Sequence, residues 1–105
     1  MGRALPPECQ AESLQRLRSV EGHLHAVVRM IATGKPCEIV LHQLDAVRTA
    51  VEVSEVRIIW HLVQQNIAIL QDLPCEHDQN ETVEELSKLF QILERTRSVI
   101  REVEE

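Results

Sequence analysis

Residues 36–74 read PCEIVLHQLDAVRTAVEVSEVRIIWHLVQQNIAILQDLP, with no glycine or proline between Pro36 and Pro74. Apolar residues recur at Ile39, Val40, Leu44, Val47, Val51, Ile58, Leu62, Val63 and Ile67, the three- and four-residue steps of a helix. The pattern predicts a single helix over 37–71 that is apolar around most of its circumference. Globular helices average roughly 10–14 residues, so this one is over-long. A chain of 105 residues cannot bury both sides of it alone. The economical solution is an antiparallel hairpin that pairs with a second copy into a four-helix bundle. A lone three-helix bundle is the alternative.

On the N-terminal side, Leu14, Leu17, Leu24, Val27, Val28 and Ile31 form an apolar stripe at helical spacing. Glu12 and Ser13 stand near its start and ATGKP ends it, so a helix is predicted over 12–33, preceded by a mobile tail over 1–11. Beyond the long helix, DLPCEHDQNE reads as a joint. Val83, Leu86, Phe90, Leu93 and Ile100 then mark a third, more acidic helix over 80–103. The whole of 1–105 reads as one all-α domain, a three-helix subunit.

Composition agrees. Hydrophobic residues make up 44% and charged ones 27%, which suits a folded chain. Three glycines and four prolines are too few for the turns of an all-β protein. No run of about 18 apolar residues could span a bilayer, so no membrane partner is expected. The opening MGRALPPECQAESLQ lacks an apolar stretch of signal-peptide length, which makes the cytoplasm the expected location. Net charge is −6, unevenly spread. Residues 1–36 carry five basic and three acidic groups, residues 73–105 four and nine. A basic face is therefore possible only in the first third, and strong non-specific attraction to nucleic acid is disfavoured.

Cys9, Cys37 and Cys75 are odd in number and contain no CxxC pair, so neither a disulfide framework nor a zinc finger is supported. Cys37 follows Pro36 at the start of the long helix, where unpaired N–H groups and the helix dipole favour a thiolate. Glu38 opposes that effect, and a small apolar residue closing the joint is the competing reading. His23 and His25 are two apart on a helix and point to nearly opposite faces. His42 reads as a solvated or hydrogen-bonded residue of the long helix. Cys75 and His77 offer a two-ligand loop, a weak metal signal. Cys9 falls in the expected tail and is given no role.

With the helices placed, RLRSVEGHLHAVVRMI, PCEIVLHQLDAVRTAV and TVEELSKL resemble the copper-sensitive operon repressor family, the CsoR/RcnR metal-sensing repressors. The resemblance covers roughly residues 14 to 95. It implies a dimer of helical hairpins that assembles further into a dimer-of-dimers tetramer. It also implies an operator-DNA repressor released by an inducer bound between subunits.

In the copper branch, the resemblance implies three ligands: a cysteine opening the second helix, plus a histidine and a second cysteine from the partner subunit. Cys37 matches the first. The other two positions fall, without gaps, on Leu62 and Asn66. Leucine has no lone pair, and an amide oxygen is a hard donor unsuited to Cu(I). His61 lies one position early, which turns it about 100° around the helix. The nickel and cobalt sensors also use a histidine where Leu62 stands, and the persulfide sensors a cysteine there. The formaldehyde sensors use an N-terminal proline amine, and here the aligned residue is Ala4. Glu85 matches a glutamate that supports the ligand site, and Pro36 replaces the usual aromatic. Cys37, with possible support from Glu85 and His61, is thus the expected inducer site and the one candidate position for a transition-metal ion.

Family repressors read DNA through arginines and lysines on the assembly's face. Arg16, Arg18 and Arg48 match recurring basic positions, and Arg29 lies roughly 20° from Arg18 in helical phase. Val53 stands where a copper-branch member can carry arginine. The expected function is a repressor of this type, with operator DNA and further copies of itself as partners and an inducer other than Cu(I) in the standard triad. The inducer is then a metal with altered ligands, or an electrophile or sulfur species at Cys37. The alternative is a divergent helical scaffold that serves as a protein-interaction module and senses nothing. No nucleophile–base pair points to an enzyme.

Overall fold

The computed structural model describes residues 4–72 and 80–104, with side chains described as far as 95. Three helices account for nearly all of them: α1 (Pro7–Ala32), α2 (Cys37–Asp72) and α3 (Asn80–Glu104). There is no strand among the described residues. The all-α reading holds, and α2 is a single helix of 36 residues.

α1 starts earlier than its apolar stripe suggests. Pro6 caps it, Pro7 occupies the first turn where a missing N–H costs nothing, and Gln10 N–H donates to Pro6 O at 2.8 Å. Residues 7–11 are therefore helix rather than mobile tail, and Cys9 is buried at 1% exposure. The prolines and the polar run PECQAE hid this turn, because it contributes one inward side chain and no periodicity.

The joint between α1 and α2 is a Schellman turn. Lys35 N–H donates to Met30 O at 3.0 Å and Gly34 N–H to Ile31 O at 3.1 Å. Gly34 adopts φ +73°, a conformation that a side chain disfavours. Thr33 adds a side-chain bond from Oγ1 to Arg29 O at 2.8 Å. Pro36 O then accepts the N–H groups of Ile39 and Val40, which opens α2 at Cys37.

The chain packs as two compact units, Leu5–Glu55 and Val56–Glu105 with Met1–Ala4, and α2 contributes to both. The division falls inside a continuous helix rather than in a linker. In the first unit α1 and the start of α2 form an antiparallel hairpin. Val27, Cys9 and Ser13 face inward from α1, as do Val47 and Ser54 from α2. His23 and Gln43 are joined across the hairpin by a 2.7 Å hydrogen bond.

The rest of the apolar stripe stays uncovered. Leu14, Leu17, Leu24, Val28 and Ile31 of α1 are 38–58% exposed, and Leu44 and Val51 of α2 are 37% and 42% exposed. Averaged over each helix, these residues lie roughly 60–70° around from the inward ones. Antiparallel helices advance in opposite rotational senses, so both offsets fall on the same side of the hairpin. The first unit therefore has one continuous apolar flank.

The second unit is built around Ile59 and Val63 of α2 and Leu89 of α3. Leu62, Leu86, Ile92 and Leu93 pack around them. Of the expected α3 stripe, Leu86 and Leu93 pack here, whereas Val83 and Phe90 are exposed and the buried Leu89 was not part of it.

The two helical glycine contexts give opposite expectations. Gly22 lies inside α1, and a Cβ there would meet nothing within 4 Å. Gly22→Ala should stabilise by about 0.5–1 kcal/mol through helix propensity. Gly34→Ala should destabilise by about 1 kcal/mol or more, because the positive φ is strained for alanine. Thermal denaturation at one protein concentration checks both, as Tm shifts of opposite sign.

Candidate inducer site and basic residues

Cys37 is the first residue of α2, exposed and free. Its backbone position follows from the joint: the Schellman turn ends α1, Pro36 cannot continue a helix backwards, and Cys37 inherits the unpaired N–H groups of the new N-terminus. The acidic group of that first turn is Glu38. Cys37 belongs to the first unit, whereas His61, Leu62, Asn66 and Glu85 belong to the second.

Leu62 is half-buried and packs on the Ile59, Val63 and Leu89 core. Asn66 is 1% exposed, among the most buried side chains described. Its Nδ2 donates to Leu62 O at 2.7 Å, and its Oδ1 is buried with no hydrogen-bond partner. One position is thus a hydrocarbon in a core and the other an amide turned back onto its own helix. These residues do not fit a soft Cu(I) triad. His61 and Glu85 are half-buried. Among the described residues no three His, Cys, Asp or Glu side chains gather in a metal-holding group. Cys75 and His77 lie outside the described residues.

The basic residues do not form one patch. Arg18 and Arg29 are exposed along the same face of α1, as their spacing implied. Arg16 is about 200° from Arg18 around that helix and looks elsewhere. It lines a groove of about 520 Å³ between α1 and α2, with Glu12, Ser19 and His23 beside it and Val53 and Ser54 opposite. Its Nε donates to Glu12 Oε1 at 3.2 Å. Arg48 is exposed on α2, and its Nη2 donates to Asp45 Oδ1 at 2.6 Å. Both carboxylates could have been read from the i,i+4 and i,i+3 spacings. The burial of Asn66 follows from its phase as well, seven residues after Ile59 and three after Val63 on the inward face that Gln64 and Gln65 miss.

His23 is held by Gln43, whereas His25 and His42 are exposed.

The orphaned acceptor makes Asn66 a destabilising residue where it stands. A buried polar group without a partner costs about 1–3 kcal/mol. Asn66→Leu should therefore raise stability by about 1 kcal/mol or more, read as a higher urea midpoint at unchanged slope.

The model of the family described as metal-sensitive transcriptional repressor matches residues 10–92 of the chain. No curated protein and no solved structure gives a match. The matched span contains α1 from its first turn, the whole of α2 and half of α3, together with Cys37 and the four arginines. The chain belongs to the metal-sensitive transcriptional repressor family.

Proposed function

We propose that the protein is an operator-binding repressor that works as a homodimer or homotetramer and is induced at Cys37 by something other than Cu(I) in a three-ligand site. The observation that carries this reading is the contrast between Cys37 and its expected co-ligands. The thiol is exposed at a helix N-terminus, while Leu62 and Asn66 are committed to the second unit's interior. A single exposed cysteine suits an electrophile or a sulfur species, or a metal whose other ligands differ from the copper set.

Several features support the wider reading. The uncovered flank of the hairpin suits a second copy, which would complete a four-helix bundle. Arg18 and Arg29 then remain on the outer face of α1, available to phosphates. Among the described residues no helix is long and apolar enough to cross a membrane. The cytoplasm is the compartment in which a reduced Cys37 and DNA would meet.

Copper provides the sharpest test. In competition with a strong Cu(I) chelator the protein should retain little or no metal, and Cu(I) should not release it from the DNA upstream of its own gene in a gel shift. Tight stoichiometric Cu(I) binding that disappears in Cys37→Ala would contradict this reading and restore an ordinary copper repressor. A complete lack of affinity for that DNA at low salt would instead favour a helical interaction module.

A further inference from the structure

The arginines of the first unit differ in what they already hold. Arg16 and Arg48 each meet a carboxylate one turn earlier on their own helix, Glu12 through Nε at 3.2 Å and Asp45 through Nη2 at 2.6 Å. These side chains are substantially exposed, 40% and 29% for the first pair and 51% and 51% for the second. Exposed pairs of this kind add little to stability. Their consequence lies elsewhere: a carboxylate takes the same planar N–H donors that a phosphate would take.

The two pairs use different edges of the guanidinium. Glu12 sits on Nε of Arg16 and leaves the terminal edge for a phosphate. Asp45 sits on a terminal nitrogen of Arg48, so a phosphate gripping that edge has to displace it. Around Arg16 the groove gives no help. Arg16 is the one arginine or lysine lining it, and the facing wall carries Val53, an apolar side chain 40% exposed.

We infer that Glu12 and Asp45 compete with DNA phosphates for Arg16 and Arg48, and so set how tightly and how salt-sensitively the protein holds its operator. The inference rests on the DNA-binding reading above and adds a determinant to it. Each carboxylate stands in for phosphate when DNA is absent and gives way when DNA docks, at a cost in affinity. Asp45 is the stronger competitor, because it occupies the terminal edge at the shorter distance.

Fluorescence anisotropy with a labelled duplex of the protein's own upstream DNA tests this, over about 0.05–0.2 M salt. Glu12→Gln should tighten binding about twofold and Asp45→Asn about fivefold at low salt, each with a salt slope steeper by up to about one unit. Glu84→Gln serves as the control, since Glu84 is exposed on α3 and the substitution changes net charge equally. The gains should vanish in Arg16→Ala and Arg48→Ala backgrounds respectively. Equal gains in all three variants, or gains that persist without the arginine, would overturn the inference and leave DNA binding intact. Absence of binding by the wild type and every variant would overturn the DNA reading itself, and the inference with it.

Discussion

Everything in this protein depends on α2 having more apolar surface than its own chain can cover. The helix runs 36 residues without a break, and it walls both compact units. Even so, Ile39, Leu41, Leu44, Val51, Val53, Trp60 and Ile67 remain 37–64% exposed along it. Each buried aliphatic side chain stabilises by about 1.5–3 kcal/mol, so leaving this many in water forgoes much of what a small domain has. α1 shares the deficit, with its five exposed aliphatics on the matching side of the hairpin. An apolar flank of this kind is the mark of a surface that another chain covers. On the proposed reading, a second copy of the chain covers this flank.

The same constraint explains the chemistry at the expected ligand positions. A repressor whose second helix is committed to core on several sides can keep a metal ligand there only where a metal repays the burial of its polar atoms. Leu62 removes that demand by being hydrocarbon. Asn66 only half removes it: its amide N–H is satisfied by Leu62 O, and its Oδ1 is not satisfied at all. Cys37 escapes the constraint because it opens α2 at an exposed joint.

Most of the fold was legible in the sequence. The absence of Gly and Pro from 37–73 dictated α2, and the glycine and proline of ATGKP dictated the joint. The stripe of Val83, Leu86, Phe90, Leu93 and Ile100 marked α3 as a helix but not its inner face, since Leu89 is buried while Val83 and Phe90 are exposed. The first turn of α1 was missed, since proline-capped starts carry no apolar rhythm. The division into two units was also hidden, because it depends on which stretch of α2 each neighbouring helix covers. At the candidate site, the identities of Leu62 and Asn66 already argued against the copper triad. What they could not give was the hydrogen bonding of Asn66, whose Nδ2 is bonded and whose Oδ1 is not. That depends on side-chain placement, which periodicity does not encode.

The central question is whether a second copy covers the apolar flank. Light scattering on the purified protein at micromolar concentration measures this directly. The expected result is a mass that is two or four times the 12.0 kDa of the chain. A stable, folded species at 12.0 kDa would contradict it, showing that the exposed flank of α1 and α2 is tolerated in water and that no site is shared between subunits.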